Sequence, residues 1–240
     1  MKRPILVACI LFTSVIVSSQ TLKMPVVVFS EDPLTHNMHI ASDGKYLYTC
    51  NGGVADKGQV TRFTLSGEKV ASYKVELDMR SIMFNPSDKK LYVSTYDKEL
   101  FKINDLMMGS YMKVLEFQDR DGQCTPAIDT KGKSVFFYDN GTVYIYDLES
   151  GNLKKTLTGL NSTPDAPVDG TSIAVDRKYI YLWNSDEQII LAFDLKGKFR
   201  KSFKVNQGDY PFSLSSANDL IWVSTDGNYE SGTWYGYKLW

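Results

Sequence analysis

Several kinds of chemistry lack the residues they need in this chain. Histidine occurs only as His36 and His39, whose odd spacing places them on opposite faces of an extended strand. With no third histidine and no suitably placed cysteine, a zinc centre lacks ligands. There are three cysteines in all, Cys9, Cys50 and Cys124. There is no Gly-x-Ser-x-Gly elbow and no glycine-rich phosphate loop. Neither sign of charge is in excess: 27 basic residues stand against 28 acidic ones, so no global field points to nucleic acid or a membrane surface. The one long apolar run, Ile5 to Val17, is too short to span a bilayer.

That run follows Lys2 and Arg3 and ends at Val17-Ser18-Ser19, the layout of a secretory signal peptide over residues 1–19. Leu6-Val7-Ala8-Cys9 has lipobox chemistry, but Cys9 sits in the middle of the run, which argues against lipidation. The expectation is a secreted or periplasmic protein whose remaining residues, 20–240, form one domain. A Cys50–Cys124 disulfide is open to an oxidising compartment. The strand pattern sets the two cysteines two repeats apart, which favours two free apolar thiols.

What the sequence does hold is a repeat. From Asp169 to Val205, four short apolar runs (Thr171–Val175, Tyr179–Trp183, Gln188–Phe193 and Phe199–Lys204) alternate with polar turns, as antiparallel strands do. The second run carries the aliphatic–aromatic pair Ile180-Tyr181. Equivalent pairs are Leu47-Tyr48, Leu91-Tyr92, Val135-Phe136 and Ile221-Trp222, at intervals of 44, 44, 45 and 41 residues. Third runs recur at Phe63-Thr64-Leu65, Ile103-Asn104-Asp105, Tyr146-Asp147-Leu148, Phe193-Asp194-Leu195 and Tyr237-Lys238-Leu239, with Gly67, Gly151 and Gly197 following three of them. This periodicity predicts an all-β, five-bladed β-propeller of four-stranded blades. The last repeat has runs at Phe212–Ser215, Leu220–Ser224 and Thr233–Leu239 but no fourth, while Met24–Phe29 stands alone before the first. The N-terminal strand is therefore expected to complete the last blade and leave no open edge. A sixth blade would need about 40 more residues than the chain has.

In such a ring the fourth-to-first and second-to-third connections share one face, around the mouth of the channel. Sorted this way, Glu31, Asp32, Glu76, Asp78, Asp119, Asp121, Asp165, Asp169 and Asp209 join Asp56, Asp97, Asp139, Asp186, Glu187 and Asp226 at that mouth. Lys45, Lys69, Lys89, Lys90, Lys131, Lys133, Arg177, Lys178, Lys196 and Lys198 go to the other face. Asp is also an ordinary turn residue. Its concentration on one face nevertheless predicts a negative mouth suited to a cation, a polyhydroxylated sugar or a basic partner. The predicted ligand-binding residues are Asp32, His36, Asp56, Arg80, Asp97, Asp121, Asp139, Asp169, Asn184, Asp186, Tyr210 and Asp226. Tyr96, Trp183, Tyr210 and Tyr229 lie at the same level as stacking faces, Trp183 being the one best suited to packing between blades. No cofactor is evident, and Ca2+ or another divalent cation is the ion such carboxylates would suit. Asp119-Arg120-Asp121-Gly122 has half the pattern of a calcium loop. Asn140-Gly141-Thr142 and Asn161-Ser162-Thr163 fit the glycosylation sequon, relevant only in a eukaryotic source. A monomer with a small-molecule, glycan or protein partner, no nucleic acid and no membrane span is expected.

The blade pattern resembles NHL-like and lactonase-like propellers, which host lactonases, lyases, sensors and scaffolds. That resemblance implies the architecture and leaves the activity open. Metal-dependent lactonases of this class set a Glu, two Asn and an Asp at the mouth, roles that Glu31, Asn184 and Asp169 could fill. Tyr229-Glu230-Ser231-Gly232-Thr233-Trp234-Tyr235-Gly236 is similar to a signature of secreted glutamine cyclotransferases, which are five-bladed, although here it falls in the last blade. The expected function is a ligand- or protein-binding module, the rival a metal-assisted small-molecule enzyme of the lactonase, lyase or cyclotransferase type.

Overall fold

A computed structural model describes residues 21–139, 141–163, 166–167 and 170–240. The signal-peptide residues, Cys9, Asn140, Asp165 and Asp169 lie outside the described residues. Five four-stranded antiparallel sheets follow one another along the chain as the blades of a propeller. Blade one is His36–Ser42, Leu47–Gly52, Gln59–Phe63 and Lys69–Lys74, and blade two is Met79–Asn85, Lys90–Thr95, Glu99–Asp105 and Ser110–Glu116. Blade three is Ala127–Ile128, Ser134–Asp139, Thr142–Asp147 and Leu153–Thr158. Blade four is Ile173–Val175, Tyr179–Asn184, Ile189–Asp194 and Phe199–Val205. The first strand of each blade is innermost, and the hydroxyls of Ser172 and Ser215 accept from Leu214 N and Ile40 N, tying the inner strands of neighbouring blades.

The ring closes through its ends. Strand β1 (Thr21–Lys23) lies parallel to Phe199–Val205 as a fifth strand on blade four, which the sequence did not foretell. Strand β2 (Val27–Glu31) is the outermost strand of blade five, antiparallel to Gly232–Tyr237. Closure thus follows the expected logic but begins three residues later than Met24, because Pro25 has no N–H to give the ladder. Two bounds in blade five also move. Its inner strand is Ser215–Ala217 rather than Phe212–Ser215, since Ser213 turns its hydroxyl to accept from Ser224 N at 2.7 Å. Its third strand ends at Tyr237, not Leu239, and the chain then leaves the sheet. The turn at Asn218-Asp219 has φ of 52° and 58°, the type I′ geometry that suits a two-residue hairpin.

Strand alternation sends side chains to both faces of every blade, so the core is five layers between blades rather than one centre. Between blades five and one, Phe29 from β2 packs on Phe63 and Trp222 at centroid distances of 4.6 and 5.8 Å. The C-terminal Trp240 stacks on Tyr179 at 4.5 Å and donates Nε1–H to the Tyr181 hydroxyl. Cys50 and Cys124 are free and buried, and burial pushes both thiols up. No helix among the described residues is long and apolar enough to cross a membrane.

Candidate functional site

Two loop sets meet at the mouth. Asp78, between blades one and two, accepts from Gly53 N at 2.6 Å and offers its backbone carbonyl to Tyr96 N. The second-to-third loops carrying Asp56, Asp97, Asp186 and Asp226, and the strand end at Asp139, lie on this same side of the ring. The opposite side is not purely basic. Its first-to-second turns contain Asp43, Asp88, Asp129 and Asp176, each of which accepts backbone N–H groups of its own turn. Three of them also take a tyrosine hydroxyl from the next strand (Asp43–Tyr48, Asp88–Tyr92 and Asp176–Tyr181). The segregation of charge expected from the sequence is therefore partial. Each turn needs an acceptor at that position, whichever face it occupies.

The residues that do converge at the mouth centre on His36, at the start of the inner strand of blade one. Its Nδ1–H donates to both oxygens of Asp226, at 3.0 and 3.1 Å, across the closure between blades one and five. Asp226 is itself fixed, accepting from Asn228 N while its own N–H reaches Asp209. In the neutral ring this leaves Nε2 as the acceptor, and His36 is partly exposed. Tyr210 stacks on the imidazole at 5.8 Å and Tyr229 meets it edge-on at 5.5 Å. Gly53 must be glycine, since its φ is +104° and a Cβ would stand 2.9 Å from the imidazole Cδ2.

Arg80 completes the cluster. It is 8% exposed, its Nε has no partner, and its ion pair to Asp78 is long at 3.5 Å. Its guanidinium lies 4.9 Å over the Tyr96 ring, and Lys57 lies 5.3 Å over Tyr229. Met38 links the two halves, accepting from Tyr210 Oη at 3.5 Å and from Arg80. Burial chiefly, then the Asp226 charge, raises the Tyr210 phenol well above its ordinary value, so it stays a neutral donor.

Of the residues expected at the site, His36, Arg80, Tyr210 and Asp226 come together. Asp56, Asp97, Asp139 and Asp186 make no hydrogen bond or ion pair to that cluster among the described residues. Asp32, Asp121 and Asn184 each accept a backbone N–H of their own loop. Asp119 of the half calcium pattern holds Arg120 and the Tyr146 hydroxyl. Glu31 lies away from the mouth, buried between blades five and one, with its oxygens accepting from Thr49 and Trp234. Trp183 is buried and donates to the Tyr210 carbonyl. Among the described residues no group of three or more His, Cys, Asp or Glu is arranged to hold a metal. Met38 and Lys57 were missed, and no local motif marks either.

Fold and mouth together define a five-bladed β-propeller with a polar, aromatic-walled axial site. No family model and no curated protein matches the chain. Among solved structures it is similar to the crystal structure of the Myxococcus xanthus glutaminyl cyclase, with a TM-score of 0.65 over 91% of this chain and 97% of that one. Identity is 9%, so the likeness shows the fold alone.

Proposed function

We propose that the chain is a monomeric, extracytoplasmic ligand-binding propeller whose mouth takes a small molecule or peptide end bearing both a cationic and an acceptor group. The observation that carries this reading is the His36–Asp226 pair beside the under-used Arg80 guanidinium, with tyrosines between and around them. An ammonium group suits Asp226, Asp209 and the tyrosine faces, while a carboxylate or amide oxygen suits Arg80. Calorimetry with short peptides, free or N-acetylated, tests it. Free peptides should bind, and both acetylation and Asp226→Asn should weaken binding about tenfold or more. Equal binding by the free and acetylated peptides, or no binding at all, would refute the reading.

A second reading, favoured by the glutaminyl cyclase neighbour, is catalysis at the same mouth. His36, oriented by Asp226, would act as the base for an amine attacking a side-chain amide carbon, with ammonia leaving. Ammonia release from a glutaminyl peptide, lost in His36→Gln, would select this reading over simple binding. Metal assistance is tested in the same samples, since an ion at a hundredfold excess over its Kd stabilises the fold by about 2.7 kcal/mol.

A further inference from the structure

A large concavity lies on the face opposite the His36 mouth. A basin of about 850 Å³ opens between the first-to-second turns and the C-terminal Lys238–Trp240. It shares Ser42, Phe84, Ile128, Val175 and Ser216 with a narrower space of about 70 Å³ on the ring axis, so the two form one funnel. That volume exceeds the roughly 10–15 Å³ needed to hold one water, so the narrow part has room for a few water-sized groups. Most residues around it carry apolar side chains, none is charged, and one polar ring, His39, stands among them.

His39 is 3% exposed. Its Nδ1 lies 2.8 Å from the Ile82 carbonyl, and a carbonyl only accepts, so Nδ1 carries the hydrogen. Nε2 is then a bare acceptor, and it has no partner. Burial pushes the imidazole down to about 4, against the bond to the Ile82 carbonyl, which keeps the ring neutral. The Leu214 carbonyl also favours the charged ring but makes no hydrogen bond to either nitrogen and, as an acceptor, cannot satisfy Nε2. An unfilled acceptor buried in a narrow throat is costly unless something donates to it. An ammonium would have to shed its water with no carboxylate in the lining to balance its charge, whereas a hydroxyl loses far less. The acids at the rim do not redirect the chemistry: Asp129 and Asp176 are occupied by their own turns, and Asp219 shares the rim with Arg177, Lys178 and Lys238.

We propose that this funnel is a second binding site, for a slender molecule that brings a terminal hydroxyl on a short apolar stem down to His39 Nε2 and leaves its other end in the basin. It is independent of the mouth, since His36 lies at the mouth whereas the throat opens on the other face of the ring. A bulge between Asn37 and His39 shifts the register, so the two histidines are not on opposite sides of their strand as their spacing suggested. The chain has only two histidines, so ¹⁵N-labelled imidazoles give two sets of ring signals, separable with His36→Gln. Titration with 1-butanol should shift the His39 Nε2 resonance and leave His36 unmoved. Diethyl ether, of equal heavy-atom count but with no donor, should bind about tenfold more weakly. Ser216→Phe, placed to plug the throat without touching the imidazole bond to Ile82, should abolish the response. The proposal fails if ether and butanol act alike, if only His36 responds, or if the plugged variant still responds. It fails too if Nε2 already carries the signature of a hydrogen-bonded acceptor and butanol leaves it unchanged, which would mean a buried water only.

Discussion

Glu31 offers the sharpest test of how the ring is held shut. It is the last residue of β2, 7% exposed, and its oxygens accept from Thr49 Oγ1 at 2.7 Å and Trp234 Nε1 at 2.9 Å. Burial raises its carboxyl above the ordinary value of 4.5, with the bonds from Thr49 and Trp234 pulling the other way. Between 4.5 and the raised folded value, only the unfolded chain releases the proton. The stability tied to this group is therefore fully present in acid. It falls as pH rises through that interval and stays at its lower level above it. Glu31→Gln removes the dependence, because the amide oxygen can serve Trp234 while its NH₂ donates to Thr49, whose own hydroxyl can turn to the Thr61 carbonyl. Glu31→Leu instead leaves the Trp234 N–H buried without an acceptor, at a cost of about 1–3 kcal/mol. For a chain this size that is roughly 2–4 °C in Tm per kcal/mol. Urea denaturation from pH 4 to pH 8, followed by tryptophan fluorescence, should show Gln above wild type at neutral pH with a flatter profile, and Leu below Gln throughout. Equal stability of the Leu and Gln variants would show that the carboxylate does not hold Trp234.

Two further outcomes test the closure and the packing. Deleting residues 21–31 bares the Gly232–Tyr237 edge and removes Phe29, whose loss alone should cost about 3–5 kcal/mol, so melting should fall sharply or scattering rise; a deletion that melts like the parent would sink the closure model. Gly236→Ala would set a Cβ within 3.0 Å of the rigid Trp222 ring, and thermal melting should show a loss of about 1–3 kcal/mol from overpacking, against no change if the ring can yield.

The architecture was legible because it is written as a period. The Ile180-Tyr181 pair and its four counterparts all fall on second strands, and each strand needs only alternating apolar residues and a turn signal. What escaped was whatever depends on partners far away in sequence. Nothing in Thr21-Leu22-Lys23 announces a parallel strand on blade four, and Phe212–Ser215 reads as apolar enough for a strand until the serine hydroxyls claim the backbone. At the mouth, residue types were readable but convergence was not. His36 and Asp226 are 190 positions apart and meet only because the ring closes between them. Glu31 has the chemistry of a metal ligand, yet its carboxylate is already committed to Thr49 and Trp234. The aspartates looked like one population, whereas most cap their own turns.

The strand that completes blade five is made long before the strand it pairs with. Ser30 and Thr233 sit 203 positions apart, so at about 5–20 residues per second a nascent chain carries β2 for roughly 10–40 s before its partner exists. Blades one to four can assemble in order from neighbouring segments during that time, but Val27–Glu31 has no native partner. Its Val-Val-Phe segment is the kind of short β-branched run that pairs with other chains. Yield during synthesis should then depend on how that waiting strand is shielded, and on chain concentration, more than on the stability of the finished ring.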